Sequence, residues 1–390
     1  MKKLFKYGMV WQNGSFKQCS ILVDDDKIEQ VAPDILQVED IPVVDLSGKY
    51  VLPGLVECHT HLCMNGTAAA APTLYNSNTS QVLLQCVISM EKLLRAGFTT
   101  VRDCGSPGME VIALRDEVNK GRFKGPRILA CGMAIKMTGG HYVGKVVDSP
   151  YEARKAVREL ISGNVDFLKL MGSGGLGREG VDPNVWELEL DEMRAVGEQG
   201  AKYGKAVAVH CHSKQGILNA LEAGATSIEH CSVMDEEVIE KLLEKDAFVV
   251  PTFTPYIRFE QNGVVPGTWV TPYIIGVAAG INKNKREQFI HAYKAGVKIA
   301  FGRDAGATNI PQDDFLFEMQ QMELHGMSRK DIIQSATITA AHCLMMQDKV
   351  GSIEAGKFAD LLVLKKNPLD DLSNLKEAAC IIKGGEIVSG

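Results

Sequence analysis

The chain has 390 residues, of which 45% are hydrophobic and 23% charged, and its net charge is −6. A chain of this length can bury at least one large core, and a barrel of about 250 residues can form a single domain. Its lysines and arginines are scattered rather than clustered, so we expect no basic surface for a polyanion and no nucleic-acid partner.

The sequence predicts a cytoplasmic protein without a membrane segment. The lysines near the N-terminus are not followed by an apolar run of signal-peptide length, and no apolar stretch of about 18 residues occurs. None of the ten cysteines forms a C-x-x-C pair. This pattern is typical of reduced, buried thiols rather than of disulfides or a zinc knuckle.

Short strands are predicted first, over residues 1–52, where β-branched residues alternate with Gly, Asp and Pro. From about residue 55, apolar runs alternate with segments of helical periodicity. Two helix ends are marked, one at Gly97 and one at Ser149, which precedes Pro150 and Glu152 in the order of a capping box. The predicted strands are GLVECH, TTVRDC, RILACGMA, DFLKLMG, AVAVHCH, TSIEHC, AFVVPTF and KIAFGRD.

Eight strands alternating with helices predict an α/β fold, a (β/α)8 TIM barrel over residues 55–346. A doubly wound open sheet is the structural alternative. The β pattern returns towards the C-terminus, in GSIEAGKFADLLVLKKNP and ACIIKGGEIVSG. Each end of the chain is too short to bury a core alone, so we expect residues 1–54 and 347–390 to pair into one small β-sandwich domain.

His59 and His61 end the first barrel strand, in PGLVECHTHL. Side chains at i and i+2 of a strand point the same way, and barrel enzymes have their active sites at the carboxyl ends of the strands. Two neutral imidazoles on one face can supply two ligands to a divalent metal. Taken alone, the pair is equally well explained as structural histidines.

Four further residues favour the metal site. His210 and His230 end the fifth and sixth predicted strands, and Asp304 ends the last one. Lys169 lies within the fourth strand among apolar residues, where a free ammonium is costly to bury. All four belong to the same end of the predicted barrel as His59 and His61.

These motifs resemble the amidohydrolase superfamily of metal-dependent hydrolases. PGLVECHTH matches its first-strand motif except at Glu57, where aspartate is usual. FLKLMGSGG, VAVHCH, TSIEHC, VVPT and IAFGRDAG follow in the order of the prolidase-like (Xaa-Pro dipeptidase) branch, which is related to imidazolonepropionase. The C-terminal TAAHCLMMQDKVGSIEAGKFADLLVLKKNPLDDL is similar to that branch as well.

The resemblance implies a site with two divalent metals, most simply zinc. It implies that His59, His61 and Asp304 bind one metal, that His210 and His230 bind the second, and that N-carboxylated Lys169 bridges the two. Two metals sharing a water lower its pKa from about 15.7 towards about 7. The resulting bridging hydroxide would attack the scissile carbonyl. Asp304 would pass the proton to the leaving nitrogen, which gives Asp304 and Lys169 catalytic roles.

Substrate contacts are predicted from loops and strand ends. His141 follows a Gly-Gly pair, as in relatives where a similar histidine contacts substrate, and His212 shares the strand face of His210. Tyr142, Arg178 and Lys136 are candidates for binding a substrate carboxylate. His141 could also be a solvated loop residue.

Residues 172–177, GSGGLG, match the glycine pattern of a dinucleotide-binding loop. That pattern requires a helix to begin there, whereas REGVDPNVW follows and predicts a loop. We therefore expect the glycines to form a loop over the metal site.

The predicted function is hydrolysis of an amide or peptide C–N bond in a small molecule, a dipeptide (Xaa-Pro or similar) or an N-acyl amino acid, by a homo-oligomer. The alternatives are hydrolysis of a cyclic amide, as by imidazolonepropionase, or of an aryl amide or urea. Deamination is disfavoured by Lys169, because superfamily deaminases generally lack the bridging lysine. A non-catalytic scaffold is disfavoured by the complete ligand set.

Overall fold

The structure is a computed structural model of the chain, and it describes residues 1–35, 41–176, 181–264, 268 and 270–389. The strands are β1 Lys3–Gln12, β2 Ser15–Asp24, β3 Lys27–Ala32, β4 Val43–Asp45, β5 Tyr50–Pro53, β6 Leu55–Thr60, β7 Phe98–Asp103, β8 Arg127–Ala130, β9 Ala134–Lys136, β10 Gly144–Val146, β11 Leu168–Met171, β12 Val207–Cys211, β13 Ser227–His230, β14 Phe248–Val250, β15 Lys298–Ile299, β16 Leu361–Leu364, β17 Ala378–Lys383 and β18 Glu386–Ser389. The α-helices are α1 Ala70–Tyr75, α2 Thr79–Arg95, α3 Glu110–Asn119, α4 Pro150–Ser162, α5 Leu190–Lys202, α6 Lys214–Glu222, α7 Glu236–Glu244, α8 Thr254–Asn262, α9 Pro272–Lys294, α10 Leu316–Leu324, α11 Arg329–Ser335 and α12 Ile338–Cys343. A short 3-10 helix covers Leu372–Lys376.

The two ends of the chain share one sheet. Its described strands follow the order β18-β17-β16-β5-β1-β2-β3, with β4 paired to β1. The join is the antiparallel pairing of β16 with β5, which aligns Leu361 with Pro53 and Leu364 with Tyr50. Val51 and Leu361 are fully buried in an apolar cluster that both ends of the chain build. Neither end alone supplies this core, as the sequence predicted.

The middle of the chain forms two parallel sheets, of order β6-β7-β8 and β10-β9-β11-β12-β13-β14-β15. Backbone hydrogen bonds link them on both sides, from Asp166 N to Ala130 O at 2.9 Å and from Cys58 N to Phe301 O at 3.0 Å. Each of the eight predicted runs contains an observed strand. The third run divides into β8 and β9, and the last is regular only over Lys298–Ile299. The α/β prediction is confirmed.

The helix ends follow the sequence signals. Helix α2 ends at Arg95, and Gly97 then turns the chain into β7 at a φ of 95°, which glycine adopts without a steric penalty. Helix α4 begins after Ser149, whose hydroxyl accepts the Glu152 amide. The Glu152 carboxylate accepts the Asp148 amide, one residue earlier than a standard capping box requires.

Among the described residues, no helix combines the length and apolar character needed to span a bilayer. All ten cysteines are free thiols, and nine of them are buried. This agrees with the expectation of reduced, buried cysteines.

Candidate metal centre

Polar side chains meet in one cavity at the carboxyl ends of the parallel strands. Residues of β6, β11, β12 and β13 contribute directly, and Asp304 follows β15. His230 and Asp304 adopt left-handed backbone conformations, with φ of 70° and 63°, so each strand turns away where its side chain enters the cavity. The polar residues that line the cavity include His59, His61, His141, Tyr142, Lys169, His210, His212, His230 and Asp304.

The first group of possible ligands is His59, His61 and Asp304. The Nε2 atoms of His59 and His61 lie 3.6 and 3.3 Å from Asp304 Oδ1. The opposite ring nitrogens have partners of their own, since His59 Nδ1 lies 2.7 Å from Glu229 and His61 Nδ1 lies 3.2 Å from the Gly105 carbonyl. Because a carboxylate and a carbonyl only accept, these contacts favour a proton on each Nδ1, so a metal ion beside Asp304 would be bound through the two Nε2 atoms.

The second group is His210, His212 and His230, whose ligating atoms lie within 4.8 Å of one another. His210 Nε2 is 3.2 Å from the Gly174 carbonyl, so its Nδ1 lone pair remains for a ligand. His230 Nδ1 is 2.7 Å from Thr252 Oγ1. The rings of His59 and His230, 4.9 Å apart, bring the two groups together.

Lys169 and Asp304 carry the two polar atoms that stand out at this site. Lys169 is 1% exposed, and neither its Nζ nor Asp304 Oδ1 has a hydrogen-bond partner among the described residues. Buried polar groups are normally paired, because an unpaired one costs about 1–3 kcal/mol. Two unpaired polar atoms of opposite charge among the five imidazoles of the two groups indicate a missing ligand.

The protonation states suit a cation ligand. Burial lowers the pKa of His59 to about 4 and holds those of His210 and His230 well below the ordinary value, so these imidazoles are neutral. Burial raises the pKa of Asp304, but the neighbouring His61, His59 and Lys169 together outweigh burial and lower the value to about 2. The site therefore offers neutral nitrogens from His59, His210 and His230 and a carboxylate from Asp304, which suit a divalent metal. Burial lowers the pKa of His61, but Asp304, Asp103 and the Gly105 carbonyl outweigh burial and raise it, so a metal would have to displace a proton from that ring.

Comparison with known proteins decides the family. The model of the Amidohydrolase family matches residues 50–388. The chain belongs to the amidohydrolase family. It is an enzyme that hydrolyses C–N bonds.

Several relatives resemble this amidohydrolase over most of its length. Ochratoxinase of Aspergillus niger is 28% identical over 382 residues, which cover 87% of this chain and 76% of the relative. Imidazolonepropionase of Fusobacterium nucleatum is 25% identical over 93% of this chain and 87% of its own. A crystal structure of a Xaa-Pro dipeptidase with bound methionine in the active site is 32% identical, covers 100% of both chains and has a TM-score of 0.91. The predicted resemblance to the prolidase-like, imidazolonepropionase-related branch is confirmed.

The sequence-based reasoning missed the buried ion pair behind His59 in this amidohydrolase. Glu229, fully buried, accepts from His59 Nδ1 at 2.7 Å, from Arg102 at 2.6 Å and from Ser227 at 2.6 Å. Although burial raises the pKa of Glu229, the combined effects of Arg102, His59 and Lys169 outweigh burial and hold that pKa well below its usual range. The signal was present, since Glu229 and Arg102 are charged residues inside apolar strands, just as Lys169 is.

A second buried pair joins the first and last strands. Glu57 accepts from Arg303 Nε at 2.9 Å and from the His59 amide at 3.1 Å, and Glu57 and Arg303 are both fully buried. Because Glu57 also accepts from the Arg303 amide at 3.2 Å, it fixes the spacing of the strands that carry His59 and Asp304.

Some of the predicted substrate-binding residues line the cavity and others do not. His141 stacks on His210 with ring centroids 4.5 Å apart, and the Tyr142 hydroxyl lies 3.2 Å from His61 Nδ1. Both line the cavity. Lys136 does not, since its ammonium donates to the carbonyls of residues 140 and 142 and so holds their loop. Arg178 lies outside the described residues.

The glycine-rich segment after β11 does not begin a helix in the part that is described. The next helix is α5, at Leu190. Gly174 instead contacts the site, through the hydrogen bond of its carbonyl to His210. The loop prediction is confirmed for residues 172–176, whereas residue 177 lies outside the described part.

Apolar side chains also line the cavity, and together they form its apolar wall. They come from the loop after β6, from α1, from the segment after β11 and from α8, and they include Met64, Ala71, Leu74, Leu176, Pro255 and Phe259. Such a wall buries the apolar part of a ligand and keeps bulk water from the polar end.

Proposed function

We propose that this amidohydrolase is a binuclear metal-dependent enzyme that hydrolyses the amide bond of a dipeptide, Xaa-Pro or similar, or of an N-acyl amino acid. The observation that carries the proposal is the pair of unpartnered buried atoms, Lys169 Nζ and Asp304 Oδ1, between two groups of histidines. The amidohydrolase family membership supports a divalent metal at such a site.

The proposed ligand assignment is the one that the resemblance to the amidohydrolase superfamily implies. His59, His61 and Asp304 would hold one ion, and His210 and His230 would hold the other. Lys169, as an N-carboxylated side chain, would bridge them, because carboxylation converts a costly buried cation into an anionic oxygen ligand. Zinc is the metal we propose, since it accepts this mixture of nitrogen and oxygen ligands.

The two ions, when bound, would lower the pKa of a water and polarise the scissile carbonyl. The protein's own side chains would transfer the proton and contact the substrate. Asp304 is positioned to take a proton from the attacking water and to return it to the leaving nitrogen. His141 and His212, as neutral imidazoles in the cavity, would contact the substrate near the scissile bond, and Tyr142 would border it beside His61.

The peptide or N-acyl substrate is proposed from the structure that is 32% identical, a Xaa-Pro dipeptidase with bound methionine. The apolar wall supports it, because an apolar side chain next to the scissile bond would be buried there. A cyclic amide is the second candidate, favoured by the identity to an imidazolonepropionase over 93% of this chain. An aryl amide or urea would fit the same apolar wall.

We also propose that the two parallel sheets form one (β/α)8 barrel over residues 55–346, with residues 1–54 and 347–390 as a β-sandwich domain. The hydrogen bonds at both seams, to Ala130 O and Phe301 O, support closure of the barrel. The active site would then lie at the carboxyl end of the barrel, where barrel enzymes carry it.

Metal determination on the purified protein tests the proposal. We expect about two equivalents per chain in wild type, and loss of metal in Lys169→Ala, because the bridging ligand disappears. Lys202→Ala, exposed on α5, is the matched control and should keep both equivalents. A metal-free wild-type protein that hydrolyses the same substrates would contradict the binuclear site.

A panel of substrates tests which type of C–N bond the enzyme hydrolyses. The metal-loaded enzyme should hydrolyse members of a dipeptide and N-acyl amino acid series, with lactams, aryl amides and ureas measured alongside. Turnover of lactams alone would replace the peptide proposal by the cyclic-amide one.

A further inference from the structure

The junction between β14 and α8, residues 251–254, is attached directly to the second ligand group. Thr252 Oγ1 lies 2.7 Å from His230 Nδ1. Thr252 is fully buried and has a φ of 45°, a left-handed conformation that a β-branched residue seldom adopts. Such a conformation persists only where the surrounding structure enforces it.

One enforcing group is Lys285, from the middle of α9. Its side chain is fully buried, and its Nζ donates to the carbonyl of Pro251 at 2.5 Å. The same Nζ lies 4.3 Å from the ring centroid of Tyr256, in the first turn of α8. Lys285 therefore holds the residue before Thr252 and packs on the aromatic ring that follows it.

The other enforcing group is Glu318, from α10, which is also fully buried. Its carboxylate accepts from Phe253 N at 2.7 Å and from Thr254 N at 2.8 Å, and it accepts the Thr254 hydroxyl at 2.6 Å. The amides after Thr252 are thus bound to an anion, while the carbonyl before it is bound to a cation. Thr252 is clamped from both sides.

Neither group lines the active-site cavity, yet each is costly to bury. Burial lowers the pKa of Lys285 to about 7, against the opposing effect of Glu318, and burial raises the pKa of Glu318. A hydrophobic pair would pack between these helices without that cost. Hydrogen bonding to the backbone on the two sides of Thr252 is what the charged pair adds.

We propose that Lys285 and Glu318 are positioning residues for metal binding, acting through Thr252. They hold residues 251–254 so that the Thr252 hydroxyl accepts the Nδ1 proton of His230 and leaves its Nε2 lone pair directed into the cavity. Groups that orient a ligating histidine typically change metal affinity by about 10–100-fold. This inference rests on the proposed metal site, and it adds two residues from helices outside that site.

The test is a metal titration with a chromophoric chelator as competitor. Lys285→Met keeps the length of the side chain and removes the donor, and Thr252→Val removes the hydroxyl and keeps the β-branch. Each variant should bind one of the two metal ions with about tenfold or more lower affinity, and its affinity for the other ion should be unchanged. Lys294→Met, exposed on the last turn of the same helix, is the control and should bind both as wild type does.

A double-mutant cycle separates positioning from general support of the fold. If Lys285 acts through Thr252, the double variant Lys285→Met/Thr252→Val binds metal no more weakly than Thr252→Val alone. Fully additive losses, or unchanged affinity in Lys285→Met, would overturn the inference. Glu318→Gln, which removes the charge but keeps one acceptor, provides the same cycle with Thr252→Val if Lys285→Met does not fold.

The wild-type titration separates this inference from the proposed function. A wild-type protein that binds no metal would refute the metal site and the inference together. Two wild-type equivalents with an unaltered Lys285→Met affinity would refute the inference alone.

Discussion

Replacing Glu229 with glutamine should weaken both the fold and the first ligand group. The carboxylate accepts from three donors, His59 Nδ1, Arg102 and Ser227 Oγ, at 2.6–2.7 Å. A glutamine at this position has one oxygen and one NH2 group. In either orientation, the NH2 group faces a donor, and the Arg102 charge is left buried without a counter-charge.

The size of the effect follows from burial. Glu229 and Arg102 side chains are 0% and 1% exposed, so solvent cannot compensate the lost partner. Breaking a buried ion pair by removing one partner costs about 3–5 kcal/mol. His59 also loses the acceptor that fixes its Nδ1 proton, which should weaken metal binding by about 10–100-fold.

Two assays measure these quantities. Urea denaturation, followed by circular dichroism, should show the free energy of unfolding reduced by about 3 kcal/mol in Glu229→Gln. Glu240→Gln, exposed on α7, is the matched control and should stay within about 0.5 kcal/mol of wild type. A Glu229→Gln protein as stable as the control, with unchanged metal affinity, would refute the role assigned to this pair.

Three more results are expected. Asp304→Asn should fold but lose about 10²–10⁴-fold in kcat, because the amide cannot take up a proton, and steady-state kinetics with retained circular dichroism would check this. Gly302→Ala should lower the free energy of unfolding by about 1–3 kcal/mol, since its Cβ would lie 2.4 Å from a Val250 methyl and 3.0 Å from His59, and a wild-type denaturation curve would contradict it. Burial lowers the pKa of His325 below its ordinary 6.5, so the unfolded state binds the proton first and stability falls as the pH drops through about 6.5. His325→Gln should therefore lose less stability than wild type between about pH 7 and 5 in parallel denaturations, and equal losses would exclude His325 as the source.

Strand periodicity was sufficient to find the ligand candidates. His59 and His61 are two residues apart at the end of β6. His230 ends β13, His210 is the last residue but one of β12, and Asp304 follows β15 in the same parallel series. Since parallel strands end at one edge, these residues had to approach one another. Lys169 was recognised because a charged side chain inside an apolar strand is costly to bury, so a functional partner is expected for it.

The sequence by itself thus determined the α/β class, and it indicated six of the side chains that line the cavity, those of His59, His61, Lys169, His210, His230 and Asp304. Both follow from patterns within single elements and from the rule that parallel strands end together. Only the tertiary structure decided which buried groups accept hydrogen bonds from the ligating histidines and from the backbone next to them. Glu229 lies 170 residues from His59, and Glu318 lies 65 residues from the Phe253 amide that it binds. The period of a strand shows which way a side chain points, but which distant helix or strand supplies its partner depends on packing between elements, and no local pattern encodes that.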